Sequence, residues 1–165
     1  MKWSHSSSFF TYESVSLDEQ MVVEMMVLLL ILWSLMTTKT KSSQLLNQLQ
    51  NCGRRIVQIS GHRYPQHLLQ EEKGTLPSHT TFIEGETPVV YLVLRRGDSN
   101  SDVNGSYFDE HTLIMAYIHE LTHLLSPPGH GEGFYALEKR LILHAYILGF
   151  LRSGDELDPN YPCHV

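Results

Sequence analysis

Cysteine is nearly missing: Cys52 and Cys163 are the only two in 165 residues. That is too few for a disulfide framework or for a cysteine-rich zinc module. Basic residues are scarce too, with 12 Lys plus Arg against 18 Asp plus Glu and a formal charge of -6. A chain so charged has no broad basic face with which to displace counterions from nucleic acid. Internal repeats are absent, and Ser6-Ser7-Ser8 is the only low-complexity run. What remains is an apolar share of 42% with 18% charged residues. Such a balance excludes global disorder and supplies a core for one domain. The unusual presence is ten histidines, which directs attention to metal chemistry.

The apolar residues cluster at 21–36, which read MVVEMMVLLLILWSLM with Glu24 as the only charge. A helix of that length spans about 24 Å, short of the roughly 30 Å hydrocarbon core unless Thr37 and Thr38 are included. The preceding residues carry Lys2 against Glu13, Asp18 and Glu19, so a cleaved signal peptide with a positive leading region is not expected. The segment 21–38 reads as a membrane-anchor helix within an N-terminal segment 1–41, the competing reading being a buried core or interaction helix. Lys39, Lys41, Arg54 and Arg55 lie downstream. By the positive-inside bias they put the remainder, 42–165, on the cytosolic side. Two unpaired cysteines suit that compartment, and there Asn104-Gly105-Ser106 reads as a turn rather than a glycosylation site.

Farther along, residues 42–58 place Leu45, Leu46, Leu49, Cys52, Ile56 and Val57 at helical spacing, with Gly53 as the weak point. Residues 61–77 are broken by Pro65, Gly74 and Pro77 and predict turns. The run Pro88-Val89-Val90-Tyr91-Leu92-Val93-Leu94 is β-branched and aromatic, and predicts a strand. A polar loop follows over 95–105. A helix is expected from about Asp109, with Leu113, Ile114, Tyr117, Leu121 and Leu124 on one stripe and Pro127-Pro128 as its stop. Ser106 and Asp109 both offer themselves as caps. A final helix is expected over 133–152, closed by Ser153-Gly154.

Inside the capped helix lies His119-Glu120-Leu121-Thr122-His123. Histidines at i and i+4 project from one helical face and can share a tetrahedral ion. Glu120, between them, sits where a non-ligand carboxylate can take a proton from a water at that ion. Catalytic zinc normally takes three protein ligands and leaves one position for water. His130, just beyond Pro127-Pro128-Gly129, is the leading candidate for the third, with Glu132 and Glu138 as rivals. His111 and His144 read as surface or supporting residues, and His5, His62, His67, His79 and His164 have no informative spacing.

These residues carry a resemblance. The strand Val90-Tyr91-Leu92-Val93-Leu94-Arg95-Arg96, the sequence Ile118-His119-Glu120-Leu121-Thr122-His123, and then Gly129-His130 with Phe134-Tyr135-Ala136-Leu137 resemble the WLM metalloprotease family and its SprT-like relatives. The resemblance covers about a third of the chain well. It implies an α+β, zincin-like metallopeptidase domain: a short mixed sheet, an active-site helix and a following helix, here preceded by a hydrophobic helix. It implies Zn2+ on His119, His123 and His130, Glu120 as catalytic base, and Phe134 as a packing residue. Cleavage of DNA-crosslinked proteins, known in nuclear members, is not carried over to this acidic chain. The expected activity is zinc-dependent endoproteolysis of a protein or peptide substrate. Strand 89–94 is expected to pair with that substrate; Tyr135 and Tyr117 are the candidates to face the oxyanion, with Tyr117 expected in the core instead. A non-catalytic zinc-stabilised scaffold is the alternative.

Overall fold

The computed structural model describes residues 19–73, 76–96 and 105–162. The side chains of residues 19, 20, 35 and 37–40 are left aside. The polar loop and its sequon fall mostly outside the described residues, as do Cys163 and His164. The elements are α1 (Glu19–Ile59), β1 (Leu68–Glu71), β2 (His79–Thr81), β3 (Val89–Leu92), α2 (Glu110–Leu125) and α3 (Glu132–Ile147). The class is α+β with a small mixed sheet. The chain divides into two compact units, Met1–Lys39 and Thr40–Val165.

Of the first unit, the described part is the opening of α1. Leu28, Leu29, Leu30 and Ile31 are consecutive and so circle the helix, yet each is at least 50% exposed. Among the described residues, no helix is long and apolar enough to cross a membrane.

The second unit begins within α1. The helix expected over 42–58 is present and runs through Gly53, which lowers helix propensity without breaking the hydrogen bonding. Its reason lies in packing: a Cβ at residue 53 would come within 2.6 Å of Tyr117 Cε1 and 2.8 Å of Leu121 Cδ1. Glycine therefore lets α1 and α2 approach closely. Leu49, Ile56 and Val57 on the same face are buried with Leu113, Tyr117 and Leu121 of α2.

The sheet order is β1-β3-β2. β1 runs parallel to β3, from Leu68 opposite Val89 to Glu71 opposite Leu92. β2 runs antiparallel to β3, with Thr80 opposite Val90. Val90 and Leu92 are fully buried while Val89 and Tyr91 are not, so one face of β3 meets the core and the other does not. The expected strand is confirmed, but its position corrects one expectation. β3 is central, paired on both sides, and has no open edge for a substrate. The edge strands are β1 and β2, and the His-Thr-Thr sequence of β2 carries no apolar alternation.

Asp109 alone caps α2, its carboxylate accepting from Thr112 N at 2.9 Å. The helix ends at Leu125, before Pro127. α3 is shorter than expected: it stops at Ile147 rather than near Ser153. Gly149 takes φ 75°, and Phe150 N donates back to Ala145 O at 2.9 Å. That is the left-handed closure which glycine permits. α3 packs on α2 through Leu141 and Ala145, both fully buried.

Candidate metal centre

Two turns of α2 and one loop build the site. His119 and His123 sit one turn apart on α2, and their ring centroids are 5.0 Å apart. After Pro127-Pro128, Gly129 adopts φ 95°, which a side chain would resist. That turn brings His130 back to 5.2 Å from His119 and 4.8 Å from His123, centroid to centroid. One nitrogen from each of the three lies within 4.8 Å of the other two. The three histidines singled out in the sequence therefore come together.

The fit to an ion is metric. His130 Nε2 and His119 Nε2 are 3.3 Å apart. Two nitrogens at about 2.05 Å from one tetrahedral ion lie about 3.3 Å from each other. Imidazole nitrogens suit zinc and other borderline divalent metals. A ligand imidazole must be neutral, and burial, reinforced by His119 and His130, pushes the His123 ring down to about 4 despite the opposing pull of Glu138.

Phe134 holds the three rings in place. Its ring is 2% exposed, and its centroid lies 5.1 Å from His119 and 4.7 Å from both His123 and His130. It is the packing residue that the resemblance implied, and it packs against the three histidine rings themselves. One turn later on α3, Glu138 Oε1 stands 2.7 Å from His119 Nδ1. Glu138 thus belongs behind a histidine, outside the three-nitrogen cluster. Its spacing of four from Phe134 was the available signal.

Glu120 is 2% exposed and takes a donor from the sheet: Thr80 Oγ1 donates to its Oε2 at 2.7 Å. Nothing in the sequence around Thr80 pointed to this contact, since a three-residue polar strand has no periodicity to read. Tyr135, 41% exposed, lies with its ring 28° from that of His130 at 6.2 Å.

Tyr117 does not face the site. Its hydroxyl lies 2.6 Å from Tyr64 Oη and 2.7 Å from His67 Nε2, and the residue is 1% exposed. Burial raises its pKa far above the ordinary phenol value. It is a buried core group, which removes it as an oxyanion donor and gives His67 a structural place the sequence did not reveal. Burial likewise pushes the His67 imidazole down, with the Pro65 carbonyl opposing.

No family model, curated protein or solved structure matches this chain.

Proposed function

We propose that the chain is a zinc-dependent metalloendopeptidase with a zincin-like site, in line with its resemblance to the WLM and SprT-like proteins. The observation that carries this reading is the coincidence of three convergent imidazoles with Glu120, the residue directly after the first of them. A site with only a structural task needs no carboxylate beside its ligands, and this argues against the scaffold alternative.

His119, His123 and His130 would hold the ion. Bound there, zinc supplies Lewis acidity towards a water and a scissile carbonyl. Glu120 accepts a proton from the attacking water and returns it to the departing amine. Thr80 fixes the Glu120 carboxylate through Oε2. Glu138 fixes the His119 ring through Nδ1, leaving Nε2 for the ion. Tyr135 is the remaining phenol beside the site and a candidate to meet the developing oxyanion.

Association with a membrane through residues 21–36, with the second unit in the cytosol, belongs to the same proposal. Consecutive apolar side chains exposed over residues 25–33 support it, since such a surface favours an apolar medium.

The test combines metal analysis with an assay. Purified protein should carry one zinc per chain and cleave an unfolded casein substrate, with chelator abolishing cleavage. Glu120→Gln should keep the zinc and lose about 10²–10⁴-fold in rate. Stoichiometric zinc without any cleavage would favour the scaffold, and absence of zinc binding would sink both.

A further inference from the structure

We propose that the C-terminal stretch 158–162 sets the position of the general base Glu120, with Tyr161 as a positioning residue that acts through Ser78 and Thr80. The proposal rests on the peptidase reading and adds to it a residue far from the metal cluster in sequence.

By itself β2 is weakly held. Among the described residues its strand partner is β3 alone, over three positions, and all three of its residues are only half-buried. So short a ladder gains little stability of its own. Thr80, in the middle of β2, nevertheless holds its hydroxyl 2.7 Å from Glu120 Oε2. The missing restraint is supplied at Ser78, the residue just before β2, which is 1% exposed. Its Oγ accepts from Val93 N at 2.9 Å and lies 2.6 Å from Tyr161 Oη, and its own N donates to Pro162 O at 2.9 Å. Two of these three partners belong to the C-terminal stretch. About 7 Å of extended chain separates Ser78 from Thr80, and alternation puts both side chains on the same side of the strand.

The stretch is itself fastened to the helix that carries Glu120. The Tyr161 ring, buried, stands edge-on to Phe108 at 4.8 Å, one residue before the Asp109 cap of α2. Asp158 N donates to Thr112 Oγ1 at 3.3 Å in the first turn of α2, and Asp158 Oδ2 meets Arg96 at 2.6 Å. Residues 158–162 thus tie the start of α2 to the start of β2. Helix and strand, one bearing the base and the other its hydrogen-bond donor, share one anchor. Locking a strand that buries so little serves the direction of the Thr80 hydroxyl, since a reacting group works only when its neighbours hold it in a narrow geometry.

The experiment uses the full chain. Tyr161→Phe keeps the ring against Phe108 and removes the hydroxyl that meets Ser78. In zinc-free protein, hydrogen–deuterium exchange over residues 78–81 should quicken about three- to tenfold, with exchange in α2 unchanged as the sign of an intact fold. In zinc-loaded protein, kcat on a fluorescent casein should fall by a similar factor, with KM and zinc affinity at their wild-type values. Introduced into Thr80→Val, the same change should lower kcat by less than about twofold more, because the contact through which Tyr161 acts is already gone. Wild-type exchange or wild-type kcat in Tyr161→Phe overturns the proposal. So does full multiplication of the two losses in the double variant, which marks a role independent of Thr80. Each of these leaves the peptidase reading standing, whereas no cleavage by zinc-loaded wild-type protein overturns both.

Discussion

Glu138 Oε1 lies 2.7 Å from Nδ1 of His119, while Nε2 of the same ring faces His130 at 3.3 Å. One imidazole is thus gripped at one nitrogen by a carboxylate and directed with the other into the cluster. A partner of this kind fixes the tautomer and raises ligand basicity. Glu138→Ala should weaken zinc affinity about 10–100-fold, measured by competition with a chromophoric chelator. An unchanged affinity would show that the carboxylate plays no part in ligation.

Thr80 makes a second positioning contact, from a different element. Thr80→Val removes the donor to Glu120 Oε2. A hydrogen bond to a charged group contributes about 1.5–3 kcal/mol, so kcat should fall at least about tenfold with zinc content unchanged. Thr80→Ser keeps a hydroxyl and should recover most of the loss. A valine variant with wild-type kcat would remove Thr80 from the mechanism.

His67 gives the protein an acid-sensitive core. The unfolded chain protonates this ring near the ordinary value of 6.5, whereas burial depresses its pKa in the folded state. Between those two values the unfolded state binds more protons, so stability is present above pH 6.5 and falls as pH drops through the window. Urea titrations across that range should show the decline, and His67→Gln should flatten it. Tyr117→Phe leaves Tyr64 and His67 without their shared hydroxyl and should cost about 1–3 kcal/mol at neutral pH.

Gly53→Ala tests the helix contact. Alanine favours a helix by about 1 kcal/mol over glycine, yet its methyl would meet Tyr117 Cε1 at 2.6 Å. The Tyr117 ring cannot retreat easily, because Tyr64 and His67 hold its hydroxyl. Overpacking of this kind costs about 1–3 kcal/mol, so the variant should unfold at lower urea than wild type.

Residues 21–36 make a physical demand that vesicle flotation can check. The full chain should float with lipid, and the double substitution Leu29→Glu and Leu32→Glu should release it. Retention of the double variant would assign membrane binding to another surface.

Much of the centre was readable because its signals are local. His119, Glu120 and His123 share two turns of one helix, and Pro127-Pro128-Gly129 announces the reversal that returns His130. The β3 strand and the Asp109 cap were readable for the same reason. The contacts that support the site join distant segments: Thr80 to Glu120 spans 40 positions, and Tyr117 to His67 spans 50. No periodicity records such pairs. β2 escaped because three polar residues take strand form only through pairing with β3. The end of α3 was misplaced because Gly149, rather than Gly154, supplies the closing turn.

Ser78 is 1% exposed and ties the end of β3 to the C-terminal stretch: its hydroxyl meets Val93 N and Tyr161 Oη, and its amide meets Pro162. Among the described residues, the margin of the sheet along β2 is thereby short. Two copies meeting along β2 would have too short a seam for a lasting ladder, which guards that edge against self-aggregation. A three-residue polar strand anchored at Ser78 is a poor template for strand exchange between copies.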